Sequence, residues 1–473
     1  MAIAIVILLL VIGSLVFHFT SPWWFTPLAS NWGTIDDTIE ITFWITGIVF
    51  VAVNLFLAYV VYRFRFHKHR RADYEPENKK LENWLFLGTT LGVAAMLAPG
   101  LFVWAKFVNV PEDAQQFEAL GQQWHWSFRL PGEDGVLGET SAELIDDNNP
   151  FGINPDDPTG LDDVLISSNE MHIPVDQPVK VMLRSKDVLH NFAVPQFRVK
   201  MDLVPGIVSY LWFTPTRLGR FELLCQELCG MAHYTMRGHI VVDTAEDYQA
   251  WLAKQQTFAE ILNAPVGDPQ LGQQVYASCA ACHGAQGEGN EMLNGPRLAG
   301  QGARYIERQL GYFKDGVRGR HEKDSYGMQM AAMAAGLSAA NIKDVSAYIA
   351  SLQAPVTVAA AAAASDEGRQ LYRNCAYCHG EWGQGKAAQS APALAGQQPA
   401  YFKRQINNFQ QQIRGAHQQD IFGRQMLLMS RLLQSEQAVD AVAAYLHALP
   451  VVQRGEPLAH MRASAQDGGD LDD

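Results

Sequence analysis

The sequence predicts a multidomain fold: transmembrane helices first, then a β domain, then two copies of a small all-α domain. Three observations carry this expectation. Three long apolar stretches open the chain, alternating apolar and polar runs follow residue 111, and a set of motifs recurs at one fixed spacing. At 473 residues the chain is also too long for a single core. The expected boundaries are 1–110 for the membrane helices, 111–246 for the β domain, 267–352 and 366–450 for the two helical domains, and 451–473 for a disordered tail.

The apolar stretches run from about Ala2 to Phe19, Ile39 to Val61 and Trp84 to Val108. Each holds roughly 20 residues, enough to cross a bilayer as a helix. Trp23, Trp24, Tyr62 and Trp104 sit near their ends, where aromatic belts form. Pro99 and Gly100 fall inside the third stretch, which a membrane helix tolerates. The segment from Arg63 to Arg71, with Lys79 and Lys80, is strongly basic and reads as cytoplasmic. Everything after Val108 is then expected outside the membrane. The first stretch lacks a basic leader and a small-residue cleavage site, so it reads as a retained helix with its N-terminus inside rather than as a signal peptide.

Runs such as Val179 to Arg184 and His239 to Asp243 alternate as strands do. Between Pro131 and Glu170 the chain is rich in Gly, Asp, Asn and Pro and reads as a long acidic loop. Asp247 to Ile261 carries a helical pattern. The net charge of −13 argues against a nucleic-acid partner and suits the docking of a basic protein.

The six cysteines fall in three close pairs. Cys225 and Cys229 open the segment Cys-Gln-Glu-Leu-Cys-Gly-Met-Ala-His-Tyr-Thr-Met, which ends at Met236 and contains Glu227 and His233. His190, upstream at a strand end, offers a second imidazole. Thiolates, imidazoles and a thioether together suit electron-transfer copper. Two bridging cysteines with one histidine on each of two coppers use every group; Met236 and the Glu227 carbonyl then supply weak axial contacts. Met231 is an alternative axial ligand. Structural zinc is the competing reading, but zinc needs no methionine.

The other cysteines form Cys279-Ala-Ala-Cys282-His283 and Cys375-Ala-Tyr-Cys378-His379, the pattern of covalent heme c attachment. Their spacing is 375 − 279 = 96 residues, and Leu298-Ala-Gly, Tyr305, Arg318, Gly319, His321, Met330 and Met333 recur at the same interval. The repeat defines tandem domains, joined by the alanine-rich run Val358 to Ala364. Met opposite His raises a heme potential, so Met330 or Met333 and Met426 or Met429 are the candidate sixth ligands, with His321 and His417 as the bis-histidine alternative.

The segment from Cys225 to Met236, preceded by Ser185-Lys-Asp-Val-Leu-His190, resembles the CuA motif of cytochrome c oxidase subunit II. Gly121-Gln-Gln-Trp124-His-Trp resembles that family's tryptophan-rich segment. The likeness covers about Asp36 to Thr244. The repeated domains resemble tandem class I cytochromes c, so the whole resembles subunit II of a caa-type oxidase. This resemblance implies a cupredoxin-like β barrel and two cytochrome c domains in a bacterial inner membrane, with the C-terminal domains on the periplasmic side. It implies a dinuclear copper centre, two hemes c, and a magnesium ion held with help from the Glu227 carboxylate. It places Trp124 where electrons reach the copper, and Glu82 at the mouth of a proton pathway, although Glu82 is one residue off the family spacing. It selects Met330 and Met426 as axial ligands. It implies subunits I and III as partners and cytochrome c or a quinol-oxidising complex as donor, with dioxygen reduced in subunit I and protons pumped. The first apolar stretch is extra to the family's two-helix pattern. A nitrogen-oxide reductase using CuA would need a histidine-rich catalytic domain, which these 14 histidines do not provide. A free-standing electron shuttle would gain little from a membrane hairpin.

Overall fold

A computed structural model describes residues 2–21, 25–71, 74, 76–146, 148–166, 168–264, 266–353 and 366–451. Trp23, Trp24, the alanine-rich linker and the tail from Arg454 onward lie outside the described residues. The described chain forms two compact units. One comprises 1–135, 164–229 and 236–255; the other comprises 136–163, 230–235 and 256–473.

The first unit begins with α1 (Ala2–Thr20), α2 (Gly33–Arg63) and α3 (Lys79–Val108), all long and apolar enough to span a membrane. Both later helices start earlier than the apolar stretches suggested. Hydrophobicity marks only the part in lipid, whereas the helix itself runs on through polar residues. In α3 the Asn78 side chain caps the start by accepting from the Leu81 N–H at 3.1 Å. Large apolar side chains cover the outside of all three helices, as a lipid-facing surface requires.

Ten strands follow. We number them β1 (Gln115–Gln122), β2 (His125–Leu130), β3 (Val164–Ile166), β4 (Glu170–Pro174), β5 (Val179–Ser185), β6 (His190–Val194), β7 (Val199–Leu203), β8 (Ser209–Phe213), β9 (Gly219–Cys225) and β10 (Arg237–Asp243). One sheet runs β3-β2-β1-β5-β8 and the other β4-β10-β9-β6-β7, with β1/β5 and β4/β10 parallel. The two sheets enclose a core in which Phe117, Phe128, Val181, Phe192, Phe213 and Ile240 are fully buried. The supposed acidic loop therefore contains β3, a short apolar strand hidden among turn residues.

Residues 26–32, between α1 and α2, and the first turn of α2 fold back onto this β domain. Trp32 is fully buried; its indole donates to the Trp212 carbonyl at 2.9 Å and packs on the Trp212 and Phe107 rings at 4.8 and 5.3 Å. Arg198 grips the Asp36 carboxylate at 2.6 and 2.9 Å. The far end of α3 is tied down as well, because Trp212 donates to the Phe107 carbonyl at 2.8 Å and Tyr210 to the Val108 carbonyl at 3.2 Å. The start of α2 and the end of α3 thus meet the β domain, and the basic segment after α2 lies at the opposite ends of these helices. α4 (Ala245–Leu252) closes the unit.

In the second unit the helices α5 (Pro269–Tyr276), α6 (Ala280–His283), α7 (Ala303–Lys314), α8 (Ser325–Ala335) and α9 (Ala339–Ser351) form one domain. Its partner comprises α10 (Asp366–His379), α11 (Pro399–Gln410), α12 (Ile421–Ser430) and α13 (Glu436–Ala448). The cores repeat position by position. Tyr276, Ile306, Val345 and Ile349 pack in the first, and Tyr372, Phe402, Val442 and Leu446 in the second. One difference is local: the heme motif lies on a separate short helix in the first domain, but on the last turn of α10 in the second.

Candidate metal centre and heme sites

β6 opens with His190 and β9 ends with Cys225; the two strands are neighbours, so their ends converge. The chain then turns back through Cys229 to Met236, which leads into β10. The ligand atoms of His190, Cys225 and Cys229 lie within 4.8 Å of one another, and all three residues are buried. The two sulfurs stand 3.7 Å apart, and Met236 Sδ is 3.9 Å from Cys229 Sγ. Met236 is buried whereas Met231 is exposed. His233 sits in the short turn His233–Thr235 and is half-buried. The Glu227 carbonyl lies 3.2 Å from Cys225 Sγ.

Asp187 orients this site. Its carboxylate meets His190 Nε2 at 2.7 Å and accepts from the Gln123 N–H at 2.8 Å and the Val188 N–H at 2.7 Å. The other ring nitrogen, Nδ1, is buried and has no hydrogen-bond partner among the described residues. A buried polar atom left open is costly, and a metal ion would complete it while Asp187 holds the ring from behind. The donor set therefore fits copper. Burial alone would raise the Asp187 pKa, but the bonds from His190, Gln123 and Val188 hold it below the usual carboxylate range. For His190 burial opposes protonation, yet its bond to Asp187 and the neighbouring Cys225 sulfur outweigh it and raise the pKa. The hydrogen bond from Cys229 holds Cys225 down to about 3 against its burial, and Cys229 is pushed up correspondingly.

Trp124 is buried beside these ligands, its indole donating to the Cys229 carbonyl at 3.2 Å. Gln123 Nε2 reaches the same oxygen at 2.6 Å. Glu82 lies in the first turn of α3 and is exposed.

The two heme motifs are built alike. His283 and His379 are buried, and each Nδ1 is 2.9 Å from a proline carbonyl, of Pro296 and Pro392 respectively. Nδ1 is therefore the protonated nitrogen, and Nε2 keeps its lone pair for iron. Burial lowers the pKa of both imidazoles, which keeps them neutral. His379 and Met426 line one mostly apolar cleft with Phe402, Ile406 and Phe409. Met330 is half-buried while Met333 is exposed. All six cysteines are free thiols in this structure.

Three kinds of functional residue escaped sequence reasoning. Asp187 stands three residues before His190, but only the strand-end turn brings their side chains together. The carbonyls of Pro296 and Pro392 carry no side-chain signature. The third kind lies between the two helical domains. Arg318 donates to Gln309 at 2.6 Å and Gln405 at 3.0 Å, and Arg414 donates to Gln405 at 2.7 Å and Gln309 at 3.0 Å. Gln301 pairs with the Ala393 backbone at 2.7 and 3.1 Å, and Gln397 with the Arg297 backbone at 2.9 and 3.1 Å. The recurrence of Arg318 as Arg414 was visible; that both copies face one interface was not.

A buried imidazole–dithiolate–thioether cluster on a membrane-anchored β domain, followed by two heme-attachment domains, defines a membrane-bound electron-transfer protein. The sequence matches the family described as cytochrome c oxidase subunit II, periplasmic domain, over residues 116–245. It matches cytochrome c over 269–353 and 365–450. It is 60% identical over 259 residues to the alternative cytochrome c oxidase subunit 2 of Bradyrhizobium diazoefficiens, covering 55% of this chain and 94% of that one. Cytochrome c oxidase subunit 2 of Cereibacter sphaeroides is 29% identical over 247 residues, 48% of this chain and 77% of that one. Among solved structures, reduced cytochrome c4 from Pseudomonas stutzeri matches at 31% identity with a TM-score of 0.34, over 39% of this chain and all of that one. The chain belongs to the cytochrome c oxidase subunit II family. It is the electron-transfer subunit of a heme-copper oxidase, an oxidoreductase partnered by subunit I, with a cupredoxin-like domain for CuA and cytochrome c domains for heme c.

Proposed function

We propose that this subunit carries electrons from a donor protein through two hemes c and a dinuclear CuA centre to subunit I, where dioxygen is reduced to water and protons are pumped. The observation that carries the copper reading is the convergence of His190, Cys225 and Cys229, with His190 Nδ1 buried and unpartnered among the described residues. Copper there would be held by His190, Cys225, Cys229, His233 and Met236, with the Glu227 carbonyl as a weak contact, and would supply one-electron chemistry. Asp187 fixes the His190 ring, so that ligand need not move when charge changes. Trp124, hydrogen-bonded to the Cys229 carbonyl, suits the inward electron route. The Glu227 carboxylate is assigned to a magnesium ion, and Glu82 to the start of a proton pathway.

Heme c would attach at Cys279 and Cys282, with His283 and Met330 as axial ligands, and at Cys375 and Cys378, with His379 and Met426. The Pro296 and Pro392 carbonyls set the histidine tautomer, and the methionine thioethers favour a high potential. The domain scheme is 1–110, 111–246, 267–352, 366–450 and a tail of 451–473. Subunit III and a cytochrome c or quinol-oxidising donor complete the partners. The chain sits in a bacterial inner membrane with its C-terminal domains in the periplasm; the basic segment after α2, opposite the β domain, supports that orientation.

Metal analysis with visible and EPR spectra of the purified oxidase tests this. The expected result is two c hemes per chain and one unpaired electron shared by two copper nuclei. Zinc in place of copper, or a single-copper spectrum, would refute it.

A further inference from the structure

The two cytochrome domains share a core but not a surface. In the first, residues 289–295 form a small loop lying flat on the heme-attachment helix. The Gly289 N–H donates to the His283 carbonyl at 2.8 Å, and a Cβ at Gly295 would stand 1.7 Å from the Cys282 carbonyl oxygen. The base of the loop therefore packs against Cys282, which is itself exposed. On the loop Met292 is 90% exposed and Leu293 52% exposed, beside the exposed carboxylates of Glu288 and Glu291. The matched positions in the second domain are Gln384, Ala387, Ala388 and Gln389, next to Lys386, and Cys378 there is half-buried. Two carboxylates and an exposed Met–Leu pair thus sit on the first loop, where the second loop carries Gln, Ala and Lys, although Glu381 and Tyr377 are exposed close to the second site.

Met292 and Leu293 form an exposed apolar pair beside a cofactor-bearing cysteine, a surface that another molecule can cover. An apolar centre with a charged rim is the make-up of a brief electron-transfer contact, small enough to release quickly. We propose that the Glu288–Leu293 loop is the docking surface for the electron donor, that the donor is a small soluble electron carrier with a basic rim around its own exposed cofactor edge, and that electrons therefore enter this chain at the first cytochrome domain. The occupant follows from charge complementarity: Glu288 and Glu291 attract a basic rim, and the overall charge of −13 adds long-range steering. The proposal rests on the reading of Cys279, Cys282 and His283 as a heme site.

The test uses the assembled oxidase and reduced mitochondrial cytochrome c, a basic carrier, as probe. The variant E291A/M292A/L293Q gives the first loop the residues of the second at these three positions. It is expected to lower kcat/KM for this donor about three- to tenfold at low ionic strength and to flatten its salt dependence. Turnover with ascorbate and tetramethylphenylenediamine, which needs no docking, should be unchanged. The matched second-domain variant K386Q should leave both assays unchanged. An unaltered kcat/KM and salt slope in the triple variant would overturn the proposal, as would an equal fall with the small reductant or a loss of assembly with subunit I. A wild-type preparation with only one c heme per chain would instead overturn the reading on which the surface rests.

Discussion

Removing the Asp187 carboxylate should loosen the copper site more than any change outside its ligands. In Asp187→Ala three donors lose one acceptor: the His190 ring, the Gln123 N–H and the Val188 N–H. The Asp187 and His190 side chains are 4% and 0% exposed, so water does not readily replace it. At about 1–3 kcal/mol for each buried donor left unpaired, the loss is roughly 2–6 kcal/mol if one of them relaxes towards solvent. The share felt by the metal is smaller. Freeing the back of a ligating imidazole typically lowers metal affinity about 10–100-fold. Because Gln123 precedes Trp124, the same change also slackens the segment that carries the indole. The assay is competition for copper with a graded chelator, followed by EPR, on wild type, D187A and D187N. D187N keeps one oxygen acceptor and should fall between the other two. If D187A retained copper against the chelator as well as wild type does, the assignment of Asp187 as the residue that orients His190 would be wrong.

The pH dependence follows from the same carboxyl. Its folded pKa lies below the usual value, so its stabilisation is fully present above that value and is lost as pH falls through the lowered one; the gap in unfolding midpoint between wild type and D187N should be constant from about pH 5 upward and close in stronger acid. Trp32→Ala should destabilise the β domain by about 3–5 kcal/mol through the cavity left between Trp212 and Phe107, read as a lower melting midpoint of the copper-bearing domain. Met426→His should lower the midpoint potential of one c heme and leave the other in place, seen as a widened split in a redox titration. Arg414→Gln removes guanidinium bonds to Gln405 and Gln309 and packing over the Phe409 ring at 4.6 Å; it should cost about 2–3 kcal/mol and let the two cytochrome domains unfold separately in calorimetry.

The residues that make covalent or metal bonds are conspicuous in the sequence, because their chemistry permits few substitutes at fixed spacing. Cys225, Cys229, His233 and Met236 share twelve positions, and each heme motif fits in five. What holds them in place is not local. Asp187 acts through a turn, and Trp32 reaches Trp212 across 180 positions. Glu118 shows the same limit: it is buried with Arg129 at 2.8 Å and Arg184 at 2.7 Å, a grouping that exists only once β1, β2 and β5 are in register. The helix starts at Gly33 and Lys79 were misplaced because apolar content measures the lipid slab, whereas a cap such as Asn78 sets where coiling begins.

The glutamine contacts between the cytochrome domains have a consequence of their own. Gln301 reads the backbone of the second copy and Gln397 reads the backbone of the first at the matched place, so each half presents the same face to the other. Such an isologous contact is what a two-fold homodimer of a single domain would make. Joining the copies in one polypeptide retains that pairing without requiring the partners to be identical. One lobe is thereby free to change its outer surface while the shared seam stays closed.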